Sequence, residues 1–301
     1  MRRRRTLPLL GALLGATAVL LGACRGGGNA TTATTVVTTA APTVATTIAP
    51  ATTIATTTIA TTAIPNTTIP ATTIATTAPP ATSAPELLQQ IELGRSVEGR
   101  AIVAVERGTA GGTPVLVIGC IHGDEDGGLA VVDQLMTAPV PAGVDLWLVP
   151  SMNPDGQAHQ TRTNVHQVDL NRNFPKNWAP LGQPGDSQYA GTGPASEPET
   201  AAVVGLIERI RPALAMWYHQ DLNRIDVGTG RAGQIQRRYA ELTGLPVAPV
   251  TGGVYTGTAT QWESAEVANG VAFIVELGPT VDDQTAATHA NAVLTLAASV
   301  S

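Results

Sequence analysis

The sequence predicts an α/β domain, a mixed and mostly parallel sheet flanked by helices on both faces, preceded by a disordered tether. Three observations predict it. From residue 101 onward, apolar runs of strand length alternate with longer segments of helical period. Four of the apolar runs are followed at once by clusters of His, Asn, Asp or Glu, which is where α/β sheets gather ligands. The composition also breaks sharply: all 23 acidic residues lie from Glu86 onward, and nothing before it has the pattern of a packed core.

In chain order, residues 1–23 read as an export signal. Arg2 to Arg5 form a positive start, Leu7 to Leu21 a short apolar stretch, and Leu21-Gly22-Ala23-Cys24 a small-residue boundary. The stretch is short for a membrane span. Leu-Gly-Ala-Cys resembles the bacterial lipobox, which implies cleavage before Cys24 and lipid attachment to it. An ordinary secretory signal or an uncleaved anchor helix are the alternatives, and the basic start also leaves the twin-arginine export route open.

Residues 24–85 read as a disordered linker. From residue 30 they are almost wholly Thr, Ala, Ile, Val and Pro, with the octapeptide Pro-Ala-Thr-Thr-Ile-Ala-Thr-Thr at 50–57 and again at 70–77. β-Branched threonine disfavours helix, scattered proline breaks a strand ladder, and an uncharged tract without aromatics cannot offset its ordering entropy. A β-solenoid is the ordered alternative, but the repeat is irregular and lacks glycine turns. Fully extended at roughly 3.1 Å per residue, the 30–85 tract reaches about 170 Å, suited to carrying a domain into a cell wall. Its threonines are candidate O-glycosylation sites.

Residues 86–301 read as one catalytic domain. Strands are expected at 101–106, 114–120, 144–149, 213–218, 246–250 and 271–276, and helices near 127–137, 197–210, 232–243 and 282–299. Ser196 with Glu199 has the spacing of a capping box for the second helix. Only five of the 17 basic residues precede Glu86, so this domain carries a net charge of about −11, which argues against nucleic acid as a partner. With two cysteines a stapled framework is excluded, and Cys120, at the end of an apolar run, reads as a buried thiol.

The chemistry-bearing residues fall at strand ends. His122-Gly123-Asp124-Glu125 places an imidazole and a carboxylate on one tight turn, and His219 closes another strand. Two nitrogens and a carboxylate with an open fourth position form a catalytic zinc pattern, whereas structural zinc prefers cysteines. Glu276 ends the apolar run Val271–Val275, an expensive place for an unpartnered acid.

The ordered series His122-x-x-Glu125, Asn153-Pro-Asp-Gly, Asp169-Leu-Asn-Arg-Asn-Phe-Pro, His219 and Glu276 resembles the carboxypeptidase A-like zinc peptidase family, over nearly all of 88–301. Gly94-Arg95-Ser96-Val97-Glu98-Gly99-Arg100 is similar to the usual opening of that family. The resemblance implies one Zn²⁺ held by His122, Glu125 and His219, with Glu276 as general base and Arg162 steadying the oxyanion. It implies that Asn171 and Arg172 grip the carboxylate of a peptide C-terminus, and that Asp169 orients a zinc histidine.

The spacing from Glu125 to His219 is compact for that family, implying shortened surface loops. The phenolic tyrosine of the digestive enzymes has no clean counterpart, since Tyr255 sits too close to Gly257. Gly257-x-x-x-x-Trp262 and His219-Gln-Asp-Leu-Asn instead resemble the murein peptide amidase branch, which cuts the bond between γ-D-glutamate and a diamino acid. A specificity pocket that includes Ala259 or Thr260 follows from this, with Asp221 and Asp226 as candidates to meet the extra amino group. The expected partners are peptides with a free C-terminal carboxylate, peptidoglycan stem peptides first, and a membrane reached through lipidated Cys24, outside the cell. Alternatives are a scavenging extracellular carboxypeptidase and a catalytically inactive wall-binding lipoprotein. A related zinc deacylase family shares the ligand pattern, but the Asn171-Arg172 pair argues against it.

Overall fold

A computed structural model describes residues 87–249 and 252–301. The expected signal peptide, the linker and Cys24 lie outside the described residues. A six-stranded sheet runs in the order β1 (Leu87–Arg95), β2 (Ala101–Gly108), β4 (Val144–Val149), β3 (Thr113–Ile118), β5 (Leu214–Gln220), β6 (Val271–Leu277). β4, β3, β5 and β6 are parallel, while β2 pairs antiparallel with both β1 and β4. β3, β4 and β5 are almost uninterrupted in their burial, as expected of strands covered on both faces.

The helices are α1 (Gly128–Thr137), α2 (Pro154–His159), α3 (Pro198–Ile210), α4 (Gly230–Thr243), α5 (Ala259–Glu266) and α6 (Asp283–Val300). α1, α4 and α6 pack on one face, where Val131, Leu135, Tyr239 and Val293 meet Val115, Val117 and Met216. α3 and α5 cover the other, where Leu206, Ile207 and Trp262 meet Leu116, Ile118 and Trp217. Alternate residues of β3 thus feed opposite cores, the period-two consequence of the pleat.

Two expectations need correction. The strand expected at 246–250 does not form over its described part. Pro246 and Pro249 have no N–H to give a ladder, and the segment makes only an isolated bridge between Val247 and Ile225. The capping box is also absent. Glu197 is the N-cap residue without a side-chain cap bond, Pro198 occupies the first turn, and Glu199 turns inward to accept from Val97 N (3.1 Å) and Asn164 Nδ2 (3.1 Å). Strand β1 was not foreseen. It is an edge strand, polar and largely exposed, with two register irregularities against β2, so no clean alternation marks it.

Cys120 is free and fully buried, and burial pushes its thiol up to about 12. A second buried group gives a stability prediction. Glu263 on α5 accepts from the Trp217 indole (2.7 Å), and burial raises its carboxyl to about 8 from an ordinary 4.5. Below about pH 4.5 both folded and unfolded chains hold this proton. Between about 4.5 and 8 only the folded chain does, so stability falls as pH rises through that window and levels off above it. Glu263→Gln removes this slope, at most ~1.4 kcal/mol per pH unit. Thermal melts from pH 5 to 8 are expected to decline less in the variant than in the parent, and parallel declines would refute it.

Candidate metal centre and substrate cleft

The carboxyl ends of the parallel strands open into a cleft of about 620 Å³ whose wall includes His122, Glu125, Arg162, Arg172, His219 and Glu276. The loop after β3 delivers His122 and Glu125. Gly123 is required there, because a Cβ would fall 1.9 Å from the carbonyl carbon of Gly156. That contact sets the loop against α2, whose N-cap Asn153 accepts from Gly156 N (3.0 Å) and donates to Ile121 O (3.2 Å). His219 is the penultimate residue of β5, and Glu276 is its register partner on β6. The segment 223–225 folds back along β6, with Arg224 N donating to Glu276 O (2.9 Å), so the edge beside Glu276 is covered.

His122 Nδ1 and His219 Nδ1 each lie 2.9 Å from Glu125 Oε2, and the three residues form the one metal-competent cluster among the described residues. Asp169 is fully buried, and its Oδ1 accepts from His122 Nε2 at 3.0 Å. That bond fixes the tautomer and leaves the Nδ1 lone pair facing Glu125. His122 Nδ1 is buried without a hydrogen-bond partner of its own, which fits a ligand atom. Two neutral imidazoles and a carboxylate form a borderline-soft, three-donor set that suits zinc with one position open.

The electrostatics follow from burial and pairing. Burial works against the Glu125 carboxylate, but hydrogen bonds to His122 and His219 hold it far below the usual carboxylate range. Burial likewise opposes ionised Asp169, and His122 and Arg162 overcome it. At His122 burial is outweighed by Asp169, so its pKa is raised, while His219 is left below its ordinary value. Glu276 goes the other way: burial first, and the nearby Glu125 charge second, push it up to about 7. Its Oε2 is buried and unpartnered. A carboxylate poised near neutral pH beside a metal position has the properties of a general base.

Arg162 donates from Nη1 to Glu125 Oε1 (2.8 Å) and from Nε and Nη2 to Asp169 Oδ2 (3.2 and 3.0 Å). The side chain expected to steady an oxyanion is therefore also a brace between a metal ligand and the acid behind the other. Asn171 and Arg172 form a 3₁₀ turn at 170–172, started by Asp169 accepting from Asn171 N (2.9 Å). Asn171 Oδ1 accepts from Ala259 N (3.0 Å), so its amide N–H₂ remains for the cleft. Arg172 donates to Asn171 O (2.8 Å), its Nε is buried and unpartnered, and the Tyr255 ring lies 5.2 Å from its guanidinium carbon.

Ala259 needs a correction. Its side chain is buried in the core with Trp262 and Trp217, and its contribution is the backbone N–H to Asn171; Thr258 and Thr260 line the cleft instead. Helical period decides this: Ala259 lies three residues before Trp262, so both fall on the core-facing side of α5, and Thr260 is turned about 100° away from Ala259. Tyr255 is 46% exposed at the rim and packs on Arg172. Gly257, at φ +58°, allows this loop to close on the 170–174 turn, where a Cβ would meet Arg172 O at 2.3 Å. Asp226 lines the cleft and Asp221 does not. Sequence reasoning missed Gln220, which accepts from Gly127 N (2.7 Å), donates to Gly278 O (2.9 Å) and so ties the ligand loop to the strand of Glu276. Its position next to His219 was the available signal.

The zinc carboxypeptidase family profile matches residues 75–223, a span holding all three ligands, Arg162, Asn171 and Arg172 but ending before Glu276. Murein peptide amidase A of Escherichia coli K12 is 29% identical over 184 residues, covering 56% of this chain and 74% of that protein. The Vibrio campbellii murein peptide amidase A is 30% identical over 151 residues, covering 46% and 61%. Among solved structures, murein-tripeptide amidase MpaA from E. coli O157 superposes with a TM-score of 0.56 at 25% identity, covering 69% of this chain and 91% of that one. Carboxypeptidase A from Helicoverpa armigera, at 20% identity and a TM-score of 0.62, shares the fold over 71% and 68%.

Proposed function

We propose that this chain, whose residues 75–223 match the zinc carboxypeptidase family profile, is an exported enzyme that removes the C-terminal residue of peptidoglycan stem peptides, at the γ-D-glutamyl–diamino acid bond. One observation carries the proposal: Asn171 and Arg172 stand in the same cleft as the metal ligands, with Glu276 on the adjoining strand. A planar guanidinium beside an amide N–H₂ matches a terminal carboxylate in shape and charge. Such a grip holds a C-terminus so that its last peptide bond lies at the metal position.

His122, Glu125 and His219 would hold the zinc, which would supply Lewis acidity for the scissile carbonyl and a lowered pKa for water. Glu276 takes the proton from the attacking water and passes it to the departing amine nitrogen, so the C–N bond breaks as that nitrogen gains the proton. Arg162 has N–H groups directed at the ligand side of the cleft and stabilises negative charge on the carbonyl oxygen. Asp169 keeps His122 in the correct tautomer throughout.

The murein substrate rests on three supports: the relatives named murein peptide amidase, the small uncharged Thr258 and Thr260 in the cleft wall, and the wall-length tract before the domain. Thr258 and Thr260 give their part of the cleft wall small, uncharged side chains. Export and lipidation rest on the Leu21-Gly-Ala-Cys24 motif. β1 runs parallel to β3 and β4, so Leu87 enters the sheet at the end away from the cleft. Asp226→Asn is expected to lower kcat/KM for a substrate ending in a diamino acid three- to fivefold, the ~1 kcal/mol ceiling of an exposed ion pair. Asp221→Asn is expected to change nothing. Equal rates on a substrate ending in alanine serve as the control, and an unchanged preference in Asp226→Asn would remove that residue from specificity.

A further inference from the structure

A second cleft, of about 550 Å³, lies at the opposite end of the sheet, between β1, β2, β4, the 111–112 turn and the end of α3. Glu106 on β2 faces Trp147 on β4 in register, and Asp145, two residues before Trp147, stands on the same face. Both acids are 6% exposed. Like charges on adjacent strands repel, yet neither carboxylate meets a cation within 4 Å among the described residues. Glu106 accepts from Gln89, and Asp145 Oδ1 and the Trp147 indole N–H are both buried without a hydrogen-bond partner. Arg209 lies over the Trp147 ring, 5.6 Å from its centroid, rather than on the acids. Burial, and further the neighbouring Glu106, push Asp145 up to about 6 against the pull of the indole.

We propose that this cleft binds a primary ammonium group on an aliphatic stem, with the ammonium between Glu106 and Asp145 and the stem on Ile91 and Ile210. Buried polar groups are nearly always paired, and two buried carboxylates facing one cleft, with Asp145 Oδ1 unpartnered, call for a compact, multiply donating cation. An ammonium offers three donors and one charge. A calcium ion wants six to eight oxygens, more than two carboxylates supply. Ile91 and Ile210 line the same cleft and give the stem an apolar wall. The site is independent of the carboxypeptidase chemistry, since none of its residues lines the metal cleft.

The test is calorimetric titration of the zinc-loaded full chain with n-butylammonium at constant ionic strength. Saturable single-site binding is expected, weakened at least tenfold by Asp145→Asn and by Glu106→Gln, with peptidase kcat unchanged in both. Both substitutions keep side-chain shape and remove a buried charge, and melting temperatures at or above the parent's establish that they fold. n-Butyltrimethylammonium, with the same stem and charge but no donor, is expected not to bind. Absence of saturable binding, parental affinity in either variant, or equal binding of the trimethylated probe would overturn the proposal. So would calcium binding that the same substitutions abolish.

Discussion

Glu276→Gln is expected to keep zinc at one per chain and to lower kcat about 10²- to 10⁴-fold, the range for losing a positioned general base. The substitution is isosteric and removes a carboxylate that burial and the Glu125 charge already drive up to about 7, so the fold gains if anything. Because the residue acts on the attacking water, KM is expected to stay within a few-fold of the parent's. The free carboxyl value also sets a sign for the acidic limb: Glu276 must be ionised to accept a proton, so kcat/KM of the parent falls as pH drops below its pKa. Loss of zinc in the variant, or retention of more than a tenth of the activity, would place the base elsewhere.

Arg172→Met is expected to lower kcat/KM about 30- to 1,000-fold, the ~2–4 kcal/mol of a desolvated, charge-assisted pair. Arg172 is buried, held by Asn171 O and covered by Tyr255, so its guanidinium is ordered before a substrate arrives. The diagnostic is a comparison of a peptide with its C-terminal amide. The parent should discriminate strongly against the amide, and the variant should treat both alike. Persistent discrimination in the variant would move carboxylate recognition to another residue.

Much of the site was legible because its chemistry sits where strands stop. His122, Asn153, His219 and Glu276 each follow an apolar run, and parallel strands carry all such ends to one side of the sheet. Asp169 could be named as a partner of a zinc histidine, but its second duty, accepting from Arg162, depends on a contact seven residues away that no periodicity records. Ala259 was misplaced because α5 is eight residues long and nearly isotropic in polarity, so sequence could not say which residue faces inward. β1 stayed hidden because an exposed edge strand needs no alternation. Pro246 and Pro249 contained the answer to the missing strand, yet the apolar residues between them masked it. The corner at 196–199 shows tertiary override of a local rule: Glu199 is worth more to Val97 and Asn164 than to its own helix end.

The most direct test of the central claim is release of the diamino acid from a γ-D-glutamyl-diaminopimelate tripeptide by the purified full chain, measured with bound zinc counted and with a chelator added. One zinc per chain, release that the chelator abolishes and added zinc restores, and no release by Glu276→Gln are predicted. Trimming of ordinary α-linked peptides with no action on the tripeptide would contradict the wall substrate while leaving the zinc chemistry intact. Inactivity on both substrates with zinc bound would contradict the claim that this cleft is a working peptidase.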